Sequence, residues 1–271
     1  MQNSEVAERG LVLLGCGKMG SAMLEGWLAA GLPASSVWVI DPNPSDWVQA
    51  QGVHLNADLP ENPSMVLVAV KPQIMRDALP SLAPLGNGTT TFLSVAAGIT
   101  IATFEDMLGA DTPVIRSIPN TPAAVKQGIT ALIGNSKVSE DQMQMAETLL
   151  AAIGQTVRLE TEDQMDAVTG LSGSGPAYVF HMIECLATAG QAQGLAPVLA
   201  MTLAKATVAG SGALAMQAEE TPAQLRVNVT SPNGTTQAGL EVLMDEETGL
   251  PPLMAKTVDA ATRRSRELAN G

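Results

Sequence analysis

The feature that most constrains this chain is a glycine spacing. Gly15-Cys16-Gly17-Lys18-Met19-Gly20 follows the apolar run from Leu11 to Leu14 and opens a helical pattern, and Asp41 closes the next apolar run 21 residues after Gly20. In that setting the first glycine makes a tight turn, the second lets backbone approach a pyrophosphate, and the third lets helix pack on strand. The helix N-terminus adds the positive end of its dipole. A lone G-x-G-x-x-G is weak, but one set between strand and helix, with an acid at the next strand end, favours a dinucleotide site over a structural glycine turn. A mononucleotide P-loop is excluded, because Lys18 is followed by Met19 rather than Ser or Thr. Asp41 at that place accepts hydrogen bonds from ribose hydroxyls and repels a 2′-phosphate, which favours NAD. No Lys or Arg lies between Lys18 and Lys71 to clamp such a phosphate. The plainer reading of Asp41 is a turn aspartate ahead of Pro42.

The surrounding pattern agrees with an α/β fold. Up to about residue 160, short β-branched runs at 10–15, 37–41, 65–70, 90–95, 114–118, 129–133 and 156–159 alternate with helix-like segments, as parallel strands joined by crossover helices do. Ser139-Glu140-Asp141-Gln142 reads as a capping box before the last strand. Beyond Glu162 the strand pattern stops, and Ala, Leu and Met at helical spacing continue to Leu268. Ser172-Gly173-Ser174-Gly175-Pro176 leads into a long helix, Gly194-Leu195-Ala196-Pro197 ends it and begins another, and Thr221-Pro222 is an N-cap followed by proline at the first helical position. Several strongly apolar helices in so short a segment predict a subunit interface, the alternative being an ordinary Ala-rich core.

Composition narrows the partners. A net charge of −13 over 271 residues, with 46% hydrophobic content, excludes disorder and argues against nucleic acid or anionic membrane surfaces, which need clustered Lys and Arg. Cys16, Cys185, His54 and His181 are too few and scattered for a metal cluster of usual spacing or a disulfide framework, so no metal site is expected. The first apolar run is too short for a signal-peptide core, and His181 with Glu184, or Lys205, interrupts the most apolar stretches before the length of a membrane span. The expectation is a soluble, cytoplasmic protein.

The inventory of acids speaks to chemistry. Reducing a ketone calls for a positioned proton donor such as His, Lys or Tyr. The single tyrosine, Tyr178, has Met182 four residues on, so Tyr-x-x-x-Lys is absent, and the residues just after the Gly-Ser-Gly stretch are Pro176, Ala177, Tyr178 and Val179, with no lysine among them. An imine arrives already protonated and takes hydride at carbon without a strong protein acid, so C=N reduction suits the chain better than C=O reduction. His181, on an apolar helix beside Phe180 and Met182, reads first as packed or hydrogen-bonded, and His54 lies in a polar, exposed connection. Thr230-Ser231-Pro232-Asn233-Gly234-Thr235-Thr236-Gln237 turns into a helical pattern. Free N–H groups at that helix start would hold a small carboxylate, unless the segment is a plain capped turn.

Here a resemblance becomes specific. The segment from Val229 to Thr236, with Ser172-Gly173-Ser174-Gly175-Pro176-Ala177-Tyr178, Ala69-Val70-Lys71-Pro72 and Ile118-Pro119-Asn120-Thr121-Pro122, resembles the pyrroline-5-carboxylate reductases in order and over about residues 10–268. The resemblance implies an N-terminal Rossmann-like NAD(P)-binding domain at 1–161 and an all-helical dimerisation and substrate-binding domain at 162–271. It implies reduction of Δ1-pyrroline-5-carboxylate to L-proline with NADPH or NADH, the last step of proline biosynthesis. Residue by residue, Gly15, Gly17, Lys18, Met19 and Gly20 match the pyrophosphate loop, with Asp41 at the ribose. Ala69, Lys71 and Pro72 match the cofactor-side loop, and Pro119, Asn120 and Thr121 the loop near the nicotinamide. Ser231, Gly234, Thr235 and Thr236, with Asn228 nearby, match the substrate-carboxylate loop, and Thr236 also falls where the family contacts the ring nitrogen. A homodimer through the C-terminal helices, and in some members a ring of dimers, is implied too. The chain departs from the family at Lys18, where Asn is common, and at Asn233, where glycine is usual; asparagine tolerates the left-handed backbone. Asp41 leans toward NAD where many relatives use NADPH. A related imine or 3-hydroxyacid reductase, or a non-catalytic dinucleotide-binding regulator, are the competing readings.

Overall fold

The structure, a computed structural model, describes residues 4–96 and 98–269; the first three and last two residues of the expected domains lie outside that range. The chain falls into two compact units. One runs to Gly173 and takes in the chain again from Thr262, and the other spans Ser174–Ala261.

The first unit alternates helix and strand: α1 (Ser4–Arg9), β1 (Leu11–Leu14), α2 (Lys18–Ala29), β2 (Val37–Ile40), α3 (Asp46–Gln49), β3 (His54–Leu55), β4 (Met65–Val68), α4 (Pro72–Ala78), β5 (Thr91–Ser94), α5 (Ile101–Leu108), β6 (Val114–Ile118), β7 (Gly128–Gly134), α6 (Glu140–Leu150), β8 (Gly154–Arg158) and α7 (Gln164–Val168). All seven strands expected from the sequence are present, their ends within two residues of the expected ones. The eighth, β3, is a two-residue edge strand too short to show a period. The sheet order is β3-β2-β1-β4-β5-β6-β7-β8. Every pairing is parallel except β6–β7. Residues 119–127, which join β6 to β7, are too few for a crossover helix, so the chain turns back on itself through a short 3-10 turn (Thr121–Val125) and Lys126 at φ 58°. That is why an expectation of parallel strands throughout does not hold at β7.

Side chains of β1 alternate between two cores. Leu11 and Leu13 pack on one face with Met23, Leu24 and Trp27 of α2 and Leu149 of α6. Val12 and Leu14 pack on the other with Val66, Phe92 and Phe104. A strand buried on both faces reads as a continuous apolar run, which is how β1 and β4 read in the sequence. Each such side chain contributes roughly 1.5–3 kcal/mol of burial. Trp27 Nε1 also donates to the Leu149 carbonyl at 2.8 Å, satisfying the one polar atom that its burial would otherwise strand. The Ser139 hydroxyl accepts from the Gln142 amide, and the Gln142 side chain accepts from the Ser139 amide, so the expected capping box opens α6.

The second unit is helical: α8 (Gly175–Ala192), α9 (Pro197–Gln217), α10 (Pro222–Asn228), α11 (Thr235–Leu243) and the first part of α12 (Leu250–Ala269). The α8–α9 corner is a Schellman turn. Gly194, at φ +94°, donates to Gln191 O and Leu195 donates to Gly190 O. Gly190 lets α9 come close, since a Cβ there would stand 3.5 Å from that of Ala200. Little else of the pair is buried: Phe180 is 59% exposed, Val198 80% and Met216 67%. Among the described residues, α9 is the one helix long and apolar enough to cross a bilayer by length and composition, despite Lys205, and it is mostly exposed. A single chain thus leaves uncovered the apolar helical surface from which an interface was expected.

Candidate functional site: a glycine turn at the sheet edge and an uncapped helix start

Parallel strands end at one edge of a sheet, and β1, flanked by β2 and β4, is where the strand order reverses. Ligands of open α/β sheets sit at such a switch point, beyond the carboxyl ends of the strands. The expected cofactor residues gather there: Gly15 to Gly20 follow β1, Asp41 follows β2, Ala69 to Pro72 follow β4, and Pro119 to Thr121 follow β6.

The glycine turn is built by close contacts. Gly15 sits at φ +86°, donates to Ile40 O at 2.8 Å, and a Cβ on it would stand 2.8 Å from Val70 Cγ1. A Cβ on Gly20 would stand 2.5 Å from Gly15 O, so α2 rides directly on the turn. Gly17, the N-cap of α2, is extended at φ −70°, and a Cβ there would meet nothing within 4 Å. The opening turn of α2 carries no capping side chain. Lys18 is exposed, and Met19 is half-buried against the core.

Asp41 combines its two readings. Its Oδ2 accepts from the Cys16 amide at 2.7 Å, tying the end of β2 to the glycine turn, and its Oδ1 accepts from the Asn43 amide at 2.8 Å in an aspartate turn. Each oxygen has further acceptor capacity. Burial pushes the Cys16 thiol up, and the Asp41 charge adds to this against the lowering bond from Ser21.

After β4, Ala69 donates to Leu14 O at 2.8 Å, Lys71 is the exposed N-cap of α4, and Pro72 is its first residue. After β6, Asn120 is spent on structure at both ends of its amide. Its Oδ1 accepts from Ile129 N at 3.0 Å, and its Nδ2 reaches Ser172 O and Oγ at 3.4 Å. Pro119 is half-buried beside it, and Thr121 is exposed.

In the second unit, Asn228 ends α10 with its Oδ1 accepting from Gln224 Nε2 at 2.8 Å. Gly234 donates to Ser231 O at 3.0 Å, and Asn233 takes the left-handed conformation, φ 58°, expected of it. Gln237 accepts from the Asn233 amide at 2.8 Å, and Gly234 caps α11 without a side chain. The amides of Thr235 and Thr236, first in the helix, therefore face outward with the exposed side chains of Ser231, Thr235 and Thr236 around them. A shallow cleft of about 400 Å³ between α10 and α11 is lined by Arg226, Val227, Thr230, Gln237, Leu240, Glu241 and Met244, none of them an expected substrate residue.

The sequence reading missed Arg116. It is 4% exposed within β6, its Nη1 donates to Glu162 Oε1 at 2.7 Å, and the same oxygen accepts from Ile101 N at 2.9 Å. Its Nε has no partner. A lone arginine inside the run Val114-Ile115-Arg116-Ser117-Ile118 was the available signal. The histidines are both exposed: His54 stacks on Trp38 with ring centroids 4.4 Å apart, and His181 meets Glu184 rather than a packed core.

A mostly parallel sheet with a three-glycine first turn, an acid at the second strand end and an appended helical unit defines an NAD(P)-dependent oxidoreductase of the Rossmann type. Residues 10–98 match the family model described as NADP oxidoreductase coenzyme F420-dependent, and residues 162–268 match the one described as pyrroline-5-carboxylate reductase dimerisation. The chain belongs to the pyrroline-5-carboxylate reductase family. It is 37% identical over 265 residues to the pyrroline-5-carboxylate reductase of Pseudomonas aeruginosa, with 96% of each chain covered. Among solved structures it is similar to a pyrroline-5-carboxylate reductase from Coxiella burnetii, at TM-score 0.91 and 33% identity over 96% of this chain and 98% of that one. It is also similar to the Plasmodium falciparum pyrroline carboxylate reductase with NADP bound, at TM-score 0.82 and 26% identity over 97% and 99%.

Proposed function

We propose that this chain reduces Δ1-pyrroline-5-carboxylate to L-proline with NAD(P)H, the final step of proline biosynthesis. The observation that carries this is the 37% identity over 96% of both chains to a curated reductase of that name. The glycine turn fits a dinucleotide on its own terms: open space over Gly17, where a Cβ would meet nothing, and an uncapped helix start beneath it are what a pyrophosphate needs. When bound, the nicotinamide supplies the hydride that the imine carbon accepts, while the nitrogen carries the proton.

The chain's own part is holding and orienting. Gly15, Gly17, Lys18, Met19 and Gly20 hold the pyrophosphate, Asp41 reads the ribose, and Ala69, Lys71, Pro72, Pro119, Asn120 and Thr121 line the cofactor's path along the sheet edge. Asn228, Ser231, Gly234, Thr235 and Thr236 receive the substrate, with the amides at the start of α11 taking its carboxylate and the Thr236 hydroxyl on the ring nitrogen. Catalysis then rests mainly on near-attack geometry, in keeping with a chain poor in strong proton donors. Residues 1–161 serve the cofactor and 162–271 the substrate and dimerisation. The working assembly is a homodimer through the C-terminal helices, extended to a ring of dimers, acting in the cytoplasm without membrane or nucleic acid. The exposed apolar faces of α8 and α9 support the dimer.

The test is the fall in NADH and, separately, NADPH absorbance with and without pyrroline-5-carboxylate, with proline identified as product. Substrate-dependent oxidation is expected; cofactor binding without oxidation would favour the regulator.

A further inference from the structure

We propose that Asn56 sets a preference for NADH over NADPH, as a positioning residue that acts through Asp41. The inference rests on the proposed placement of a dinucleotide on the glycine turn with its ribose at Asp41. Asn56 directly follows the edge strand β3 and takes the left-handed conformation, φ 49°, which asparagine tolerates better than most residues that carry a side chain. Its own amide donates to Val39 O at 2.8 Å and so continues the ladder between β2 and β3. At the next step a side chain takes over from the main chain. Asn56 Oδ1 accepts from the Asp41 amide at 2.9 Å, and Asn56 Nδ2 donates to Asp41 O at 2.8 Å. One carboxamide, with one acceptor and a donor side by side, thus pairs with both polar main-chain groups of Asp41.

Those two bonds fix more than the edge of a sheet. The planar peptide groups on either side of the Asp41 Cα are each held, and the one before it is held again by Gly15, which donates to Ile40 O at 2.8 Å. Both backbone torsions of Asp41 are therefore set, and with them the direction of its Cα–Cβ bond. The Cys16 and Asn43 amides then fix the carboxylate, one on each oxygen, at 2.7 and 2.8 Å.

Each oxygen keeps a lone pair for one more donor. A ribose diol offers two hydroxyl donors, whereas a 2′-phosphate brings charge of the carboxylate's own sign. A mobile aspartate relieves that repulsion by rotating away. Asp41 is tied at its amide, its carbonyl and both carboxylate oxygens, so it stays in place and the repulsion persists. Selectivity then depends on how firmly the acid is held as well as on its presence, and the residue that holds its main chain is Asn56.

The test titrates the full-length protein, in its own oligomeric state, with ADP-ribose and with 2′-phospho-ADP-ribose, which carry the adenosine end of the two cofactors without the nicotinamide. The unaltered protein is expected to bind ADP-ribose the more tightly. Asn56→Gly keeps the left-handed backbone and removes the carboxamide, and Asn56→Ser, whose single hydroxyl cannot span both main-chain groups, gives a second variant. In each, the preference for ADP-ribose falls about fivefold or more, the worth of one or two net hydrogen bonds. On an Asp41→Ser background, Asn56→Gly leaves the remaining preference within about twofold, because the carboxylate it positions is gone. A preference unmoved in both single variants, affinity for both ligands falling alike, or an equal fall on the Asp41→Ser background overturns the role of Asn56. Failure of the unaltered protein to bind either ligand removes the dinucleotide site itself, an outcome distinct from the others.

Discussion

Replacing Gly17 and Gly20 separately by alanine divides what the glycine turn does for cofactor from what it does for the fold. At Gly17 the backbone is extended and the new methyl meets nothing within 4 Å. The poorer N-cap costs about 0.5–1 kcal/mol and the stiffer unfolded chain returns about 0.4–1 kcal/mol, so stability changes by no more than about 0.5 kcal/mol. The methyl does occupy the space assigned to the pyrophosphate and holds it off the amides. Losing one charge-assisted hydrogen bond, about 1.5–3 kcal/mol, raises the cofactor Kd at least about tenfold. At Gly20 the methyl meets Gly15 O at 2.5 Å, and that backbone oxygen has no flexible end to swing away. Overpacking of this kind costs about 1–3 kcal/mol against about 1 kcal/mol of gained helix propensity. The net of about 0–2 kcal/mol lowers the thermal midpoint by up to roughly 8 °C. Nucleotide fluorescence titration and a thermal melt on each variant read the two effects. If Gly17→Ala keeps the unaltered Kd within about twofold at unaltered stability, the turn is not where the pyrophosphate lies and the reasoning fails.

Thr236→Ala is expected to cut turnover of pyrroline-5-carboxylate while sparing cofactor affinity; unchanged steady-state kinetics would remove Thr236 from the site. Asp41→Ser should raise the NADPH-to-NADH ratio of kcat/KM, and because Asp41 also anchors Cys16 and Asn43, it should lower the thermal midpoint as well; a ratio that does not move means Asp41 serves the turn alone. Arg116→Ala and Arg116→Met both leave the Glu162 carboxylate without its cation, and only the alanine adds a cavity; both should melt below the unaltered protein, the alanine variant lower, and equal melts for the two would contradict this. Arg158 holds the Glu147 carboxyl below the usual glutamate range through its hydrogen bond. A carboxyl depressed on folding adds stability that is present above its unfolded value and is lost as pH falls through the folded one. Arg158→Ala should therefore lower the melting midpoint at neutral pH, leave it unchanged at pH below the titration of the folded carboxyl, and so flatten the acid limb between them; an acid limb of unchanged steepness would speak against it.

How much of this was legible depended on the length scale of the signal. Strands β1 and β4 are buried on both faces and show as unbroken apolar runs, and the capping box at Ser139 and the proline-initiated α10 carry their signals within four residues. Asn233 was legible because its left-handed backbone is a local demand. The reversal at β7 was not, since it follows from the length of a connection rather than from any strand's own pattern. Arg116 was passed over because its partner, Glu162, is distant in sequence and only the folded sheet brings them together. Asp41 shows the reverse limit: sequence spacing located it, but only coordinates reveal that both its oxygens accept backbone amides.

The most direct test of the central claim follows the hydride itself. The protein is given pyrroline-5-carboxylate and NADPH, or NADH, deuterated at nicotinamide C4 on one face and then the other, and the proline is read by NMR. The account predicts one deuterium from one of the two faces, on the ring carbon across the nitrogen from the carboxyl-bearing carbon. Proline without label from either face, or no proline while cofactor binds, would contradict it.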